Sequence, residues 1–478
     1  MDPFDLVSEE VPSIPFEQKQ LEILASPDVF YNAIESGIKA TRRRIVLATL
    51  YLGMGELEKR LVKAIVENKN NPRVTLLADA IRSTRTLKAT AEFSGVQGCE
   101  VSENTSITTQ HSPLFLLQRI ARLPSSRVAL YQSHRVRGWM HRILPERLNE
   151  LLGLQHMKVC VFDDDVIVSG ANLSEEYFKT RQDRAWLFRG VPALADFYSN
   201  LIDVVVSLSY QVTPEGELKT TSKETDPELA DKKAYCDLFR SRIEAFLTEA
   251  KTKYATAIAP RAYDSAVFPT VQMGAYGIQQ EVPLVQRLLH VLPACDIAFT
   301  TGYFCPTQEL EVAMTAIARL PGHPGSQVHI LCAAPQANSF FNSKGLAGVI
   351  PAAYREMLIS FLQHTARLPN IHVHEYFRPG WTFHAKGLWL TTRGTAATTL
   401  AFVGSSNYGY RSRNLDLESQ VVVVTRDVKL QRRIEAERRW LWDARYLHPV
   451  TLQGLLLPTE PRFKWFIRWT LPFLRRIM

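Results

Sequence analysis

Cysteine is sparse in this chain. Cys99, Cys160, Cys236, Cys295, Cys305 and Cys332 are scattered over 478 residues, and no two form a C-x-x-C pair. All six therefore read as reduced core thiols of a reducing compartment. Long apolar runs are missing too: none reaches the 18 residues expected of a spanning helix. A targeting segment is not evident, because residues 1–20 are acidic and proline-containing, unlike a signal peptide or a basic transit peptide. An acidic surplus is also absent. Fifty-six Lys and Arg against 48 Asp and Glu leave a net charge of +8. That balance favours a polyanionic partner, either an anionic membrane or nucleic acid.

What is present is a repeat. His156-Met157-Lys158 opens an apolar run that leads to Ser169-Gly170-Ala171-Asn172. His384-Ala385-Lys386 opens another, which leads to Gly404-Ser405-Ser406-Asn407. Each run reads as a β-hairpin. Side chains at i and i+2 of a strand share a face, so each hairpin presents an imidazole beside an ammonium. Asp183 lies eleven residues after Asn172, and Glu418 lies eleven after Asn407. Both halves thus carry His, Lys, Asn and an acid in one order. The hydrophilic loop Thr391 to Thr399 accounts for the longer His-to-Asn gap in the second.

A lysine beside each histidine would repel a cation, so a metal centre is a poor explanation. An anion fits better. Lysine supplies charge, asparagine supplies donors, and a small-residue turn opening a helix supplies backbone N–H groups. A phosphodiester suits two histidines, one attacking phosphorus and one protonating the leaving oxygen.

These motifs resemble the signature of the phospholipase D superfamily, H-x-K-x4-D followed by G-[SG]-x-N. The first copy supplies the acid as Asp163, although Asp163-Asp164-Asp165 reads as the hairpin turn. The second copy has Thr391 there. Longer strings, among them Arg181-Gln182-Asp183-Arg184, Gly380 to Leu390 and Tyr408-Gly409-Tyr410-Arg411-Ser412, resemble the eukaryotic phosphatidylglycerophosphate synthases of that superfamily. The likeness runs from about Leu21 to the C-terminus.

The chain also repeats itself on a larger scale. Ile45 to Tyr51, Glu56 to Asn68 and Val74 to Ala78 read as strand, helix and strand. Ile297 to Tyr303, Gln308 to Leu320 and Val328 to Leu331 read the same way. The expected fold is α/β: two phospholipase D-like domains, each a mixed sheet flanked by helices, fused as a pseudo-dimer with the active site between them. Residues 1–20 form an N-terminal arm, 21–210 the first domain, 211–262 a linker and helix, 263–450 the second domain and 451–478 a C-terminal membrane-binding segment. Leu21 to Arg44 reads as a helix. So does Glu228 to Tyr254.

The resemblance implies CDP-diacylglycerol and sn-glycerol 3-phosphate as substrates, and phosphatidylglycerophosphate and CMP as products. It implies a mitochondrial enzyme, peripheral on the inner membrane, whose presequence this chain does not carry. No cofactor, metal or nucleic acid is expected. On this reading His156 is the nucleophile and His384 the general acid and base. Lys158, Lys386, Asn172 and Asn407 hold the phosphoryl oxygens. Asp163 counts with the catalytic set, and the remaining acids pair across the halves, Glu418 with His156 and Asp183 with His384. Arg411 is the first candidate for the acceptor's phosphate, followed by Arg181, Arg184 and Arg378. Ser412, Arg82, Ser83, Lys344 and Tyr303 are further substrate-binding candidates, with Asp79, Arg85, Phe340 and Tyr354 beside them.

Other lipid enzymes of the superfamily (phosphatidylserine or cardiolipin synthases, phospholipases) and its nucleases would use the same set. A lipid-binding module without activity would not need both sets intact. His372 and His374 share a strand face but lack an evident third ligand. Arg119 to Arg147, with Trp139, Met140, Ile143 and Leu144, reads as a solvated helical face or an interfacial segment. Arg462 to Met478 reads as a basic amphipathic helix with Trp465 and Trp469, suited to an anionic membrane surface.

Overall fold

The computed structural model describes residues 2–85, 112–138, 149–255, 263–292, 295–319, 325–341, 350–392, 399–456 and 475. Apolar β-branched runs form the centre of each half. Arg44–Ala48 pairs in parallel with Arg73–Asp79 on one side and antiparallel with Val159–Phe162 on the other. Cys295–Thr301 does the same with Val328–Ala333 and Gly387–Thr392. Such strands are buried on both faces, which is why they read as unbroken apolar runs.

The correspondence extends across seven strands. In the first half the order is Ser126–Tyr131, Arg73–Asp79, Arg44–Ala48, Val159–Phe162, Asp165–Ser169, Ala185–Phe188, Leu21–Ile23. In the second it is Ile371–Tyr376, Val328–Ala333, Cys295–Thr301, Gly387–Thr392, Thr399–Gly404, Glu418–Thr425, Ser265–Met273. Among the described residues, three apolar cores separate the layers. One lies under the outer helices of the first half and one under those of the second. The third joins the two sheets, with Val159, Val161, Trp186 and Phe188 facing Trp389, Ala401, Val421 and Val423.

Several boundaries differ from expectation. Leu21 to Arg44 is not one helix. Leu21–Ile23 is an edge strand, and the helix Pro27–Ala40 begins behind it. Pro27 sits at the first helical turn, and the residue before a proline is steered to extended backbone, so the helix cannot start earlier. The N-terminal arm is not free. The helix Pro3–Ser8 buries Phe4, Leu6 and Val7 in the core of the second half, and Ile14–Pro15 pairs with Ser265–Met273. The expected linker begins by extending the first sheet, through Tyr210–Val212 and Leu218–Lys219. The helix Lys232–Ala255 follows, close to its expected range.

Arg119 to Arg147 is not a single helix. Leu114–Ala121 ends there, and Ser126–Tyr131 is a sheet strand. Trp139, Met140, Ile143, Leu144, Cys99 and Lys344 lie outside the described residues, as do 461–474 and 476–478. His372 stacks on His329 at 4.9 Å, and its Nε2 lies 2.8 Å from Gln327 Oε1. His374 packs edge-on against Trp442. Among the described residues these histidines form no metal-binding group.

Candidate active site

Two short pairings bring the halves together at the site. Thr382–Phe383 runs parallel to Arg181–Gln182, and the His384 N–H donates to the Gln182 carbonyl at 2.8 Å. Gln155 bridges Leu417 in the same sense, and the His156 N–H donates to the Leu417 carbonyl at 2.9 Å. Each histidine is therefore tied to the residue just before the other half's acid. The acids follow. Glu418 lies 2.9 and 3.0 Å from His156 Nδ1, and Asp183 Oδ2 lies 2.6 Å from His384 Nδ1. With Nδ1–H donated to a carboxylate, Nε2 is the nitrogen of each ring that remains for chemistry. In His384 it meets Lys386 Nζ at 3.2 Å and Tyr177 Oη at 3.4 Å, and Lys386 Nζ also lies 2.7 Å from Nδ1.

The two His-x-Lys segments lie immediately before their strands rather than within them. Lys158 Nζ donates to the His156 carbonyl at 2.6 Å, and Lys386 Nζ to the His384 carbonyl at 2.7 Å. Burial pulls the Lys158 ammonium down to about 7, opposed by Glu418 and reinforced by Lys386. Burial takes Lys386 down to about 8, against Asp183 and Glu418. Burial also lowers both histidines, His384 most, where Lys386 and Arg181 add to the effect. Desolvation alone would push Glu418 up, yet His156, Lys158 and the Ser405 hydroxyl hold it below its ordinary value. Asp183, by contrast, is raised by burial despite Lys386.

The asparagines end the hairpins. Asn172 Nδ2 donates to Tyr177 Oη at 3.1 Å, and Tyr177 Oη lies 3.4 Å from His384 Nε2. The Oδ1 atoms of Asn172 and Asn407 are buried with no hydrogen-bond partner among the described residues. Small residues make this approach possible. A Cβ on Gly170 would lie 2.3 Å from Asp183 Oδ1, so no side chain fits between that turn and the acid. Gly387, at φ +155°, leaves the space that the Arg184 guanidinium fills.

Some candidates do other work. Asp163 sits in the hairpin turn at φ +54°, accepting from the N–H groups of Arg42, Arg43 and Arg44, so its part is structural. Arg184 is buried between the sheets with Glu437 at 2.9 Å and lies 3.9 Å over Trp389, so it is no substrate cation. Arg411 Nη2 is bound to Asp416 Oδ1 at 3.1 Å and to the Glu150 carbonyl at 3.0 Å. Ser412 is buried and its Oγ accepts from the Asn407 N–H. Arg411 Nη2 and Ser412 Oγ are thus taken by the protein's own groups, while Arg411 Nε is buried without a partner among the described residues. Arg378 stacks on Trp381 at 3.7 Å.

The aromatic side of the site is better formed. Tyr303 stands 5.6 Å from the His384 ring, stacks on Tyr354 at 5.4 Å and meets Phe340 at 6.0 Å. Its hydroxyl bonds Ser339 at 2.7 Å. Arg82 lies 4.6 Å over Tyr51 and pairs with Glu150, as does Arg85. Ser83 is buried beside them, its Oγ without a partner among the described residues. Asp79 reaches His156 indirectly: its Oδ2 accepts from the Gln155 N–H at 3.0 Å, and burial raises its carboxyl to about 8.

Four groups escaped the sequence reading: Tyr177, Ser405, Asp416 and Glu281. Ser405 Oγ donates to Glu418. Glu281, raised to about 8 by burial, accepts from Ser406 Oγ at 2.6 Å. Asp416, with His156 and Glu418, could offer atoms to a cation, but Lys158 beside them argues against one. Comparing offsets within the repeat would have exposed two of the four. Tyr177 stands where the second half has Ser412, and Asp416 where the first has Arg181.

Comparison with known proteins is decisive. The mitochondrial CDP-diacylglycerol–glycerol-3-phosphate 3-phosphatidyltransferase of Gallus gallus is 33% identical over 477 residues, covering 92% of this chain and 80% of that one. The chain belongs to this phosphatidyltransferase family. The Homo sapiens member is 32% identical over 473 residues, with the same coverage, and the probable Dictyostelium discoideum enzyme is 30% identical over 466. No family model matches the chain. A phosphatidylserine synthase of Haemophilus influenzae shares the fold, with a TM-score of 0.72, 18% identity and 99% of each chain covered. The architecture, two matching α/β halves, is thus shared with that synthase. Family membership makes the chain a transferase of phospholipid biosynthesis, and its animal relatives are mitochondrial by name.

Proposed function

We propose that the chain transfers a phosphatidyl group from CDP-diacylglycerol to sn-glycerol 3-phosphate through a phosphohistidine on His156. The carrying observation is the crossed pairing, in which each histidine shares Nδ1–H with the other half's acid and turns Nε2 away from it. His156 Nε2 forms a bond to phosphorus as the bond to the CMP oxygen breaks, and His384 gives that oxygen a proton. The acceptor hydroxyl then returns a proton to His384 as its oxygen attacks phosphorus and the N–P bond breaks. Lys158, Lys386, Asn172 and Asn407 bear on the charge that builds on the phosphoryl oxygens. The lysines supply the charge that a metal supplies elsewhere, so no step needs one.

The lipid implies a membrane surface. No helix among the described residues is long and apolar enough to cross a membrane. We assign the enzyme to the surface of the inner mitochondrial membrane and expect no nucleic-acid partner. The test is an acceptor screen with radiolabelled CDP-diacylglycerol and glycerol 3-phosphate, serine, phosphatidylglycerol or water. Labelled phosphatidylglycerophosphate is the expected product. Transfer to serine or phosphatidylglycerol in its place would overturn the assignment.

A further inference from the structure

The two halves match at His, Lys, Asn and the acid, so their departures from symmetry mark the side on which each substrate enters. Two departures stand against the histidines. Two residues before the acid, the first half has Arg181 and the second has Asp416. Five residues after the asparagine, the first has Tyr177 and the second has Ser412. Tyr177 meets His384 and carries Arg181 on its ring; Asp416 clusters with His156 and Glu418.

Arg181 is 9% exposed, and its guanidinium lies 4.6 Å over the Tyr177 ring. Its Nε donates to Thr382 Oγ1 at 3.0 Å, and its Nη2 meets Glu176 at 2.5 Å. Glu176 is 63% exposed, so water can take over its carboxylate when another anion arrives. The corresponding place beside His156 is closed to a dianion. A carboxyl, that of Asp416, stands there, held by Arg411 and by the Leu154 N–H.

Tyr177 is almost fully buried, and its Oη contacts the one nitrogen of His384 that can reach a reacting oxygen. Asn172 donates to that Oη, so its proton points to Nε2 of a neutral ring.

We infer that Arg181 and Tyr177 form the acceptor subsite. Arg181 takes the phosphate of a phosphorylated alcohol; the alcohol O–H replaces the Tyr177 proton on His384 Nε2, and the Tyr177 hydroxyl turns to donate to the alcohol oxygen. The inference rests on the proposed phosphatidyl transfer. Arg181→Ala removes a charge-assisted bond to the phosphate. The rate of transfer to glycerol 3-phosphate relative to transfer to unphosphorylated glycerol falls about 10–100-fold. Arg181→Lys recovers part of that ratio. Tyr177→Phe keeps the ring and loses only the hydroxyl, so transfer to both alcohols falls together, by about 10–100-fold. Burial, with Lys386, Arg181, Lys158 and His156, holds the His384 imidazole down, and Asp183 faces its Nδ1. With these unchanged, losing the Tyr177 donor in the free enzyme raises its pKa, so the limb of the kcat/KM profile due to that base moves to higher pH.

Arg181→Ala that slows both acceptors equally would overturn the phosphate assignment. Tyr177→Phe with an unchanged rate, or with a fall in rate and an unmoved pH profile, would overturn the hydroxyl assignment. Exchange of labelled CMP into CDP-diacylglycerol by the unsubstituted chain needs no acceptor. Failure of that exchange would count against the transfer reading itself, separately from the subsite.

Discussion

Lys158 and Lys386 are buried ammonium groups that oppose one another's charge, at about 7 and about 8. Both values lie far below the ordinary lysine range because burial disfavours the charged form. An anion beside them favours that form, so anion binding must take up protons. The sign follows: binding is tightest at low pH and weakens as pH rises past about 7 for Lys158 and about 8 for Lys386. The expected slope is up to about tenfold per pH unit for each proton linked. Sulfate does not titrate in this range, so calorimetry of sulfate binding in buffers of different ionisation enthalpy isolates the effect. Net proton uptake at pH 7.5 is expected; none, or proton release, would refute the linkage. At this scale the sequence was most informative. His156, Lys158, Asn172 and Asp183 were legible because their chemistry repeats at fixed offsets. Arg411 was less legible, because Asp416 and the Glu150 carbonyl, which only the fold brings to it, take its Nη2.

The hairpins that carry the motif are held by groups that never touch substrate. Asp163 binds three successive N–H groups leading into the Arg44–Ala48 strand, the last that of Arg44 itself, and its left-handed backbone turns the chain. Asp163→Ala should cost about 1–3 kcal/mol of stability while kcat per folded molecule is retained. Denaturant unfolding beside active-site titration separates the two; a fall in kcat of a hundredfold without loss of stability would return Asp163 to the chemistry. The Arg184–Glu437 pair acts between elements. It joins the Val428–Leu441 helix to Lys386, just before the Gly387–Thr392 strand, and to Phe402 in the Thr399–Gly404 strand, whose carbonyls Arg184 also binds at 3.0 and 2.7 Å. Arg184→Met leaves the Glu437 carboxylate buried without its cation, which costs about 3–5 kcal/mol. Arg184→Met with Glu437→Leu should recover much of that loss in the same unfolding experiment; a double variant no more stable than the single would deny the coupling. The strand–helix–strand units were legible from periodicity and composition. The Leu21–Ile23 strand was not, because three residues carry too little pattern and pairing with Ala185–Phe188 decides them.

The whole molecule turns the repeat into one site by crossing it. Neither half is complete alone, since His156 depends on Glu418 and His384 on Asp183. The N-terminal helix crosses as well, lending Phe4, Leu6 and Val7 to the core of the second half. The pseudo-dimer and its shared site were therefore readable from the repeat, whereas this strap was not, because nothing in an acidic, proline-containing segment says which core will take it. The crossing assigns each acid to a step. CMP leaves as a phosphate monoester, a weakly basic group with a second pKa near 6, so its departure needs little help from an acid. The acceptor hydroxyl must lose its proton, so the second step needs the base. Asp183→Asn should therefore spare the first step relative to the second. Labelled phosphatidyl-enzyme should accumulate, with a burst of CMP approaching one per site and slow turnover afterwards. Glu418→Gln weakens the imidazole that attacks phosphorus, so the burst itself should slow, and little labelled enzyme should build up. Rapid quenching with CDP-diacylglycerol labelled in the phosphatidyl group measures both quantities. Accumulation in Glu418→Gln rather than Asp183→Asn would exchange the roles of the two histidines, and accumulation in neither would argue for direct displacement.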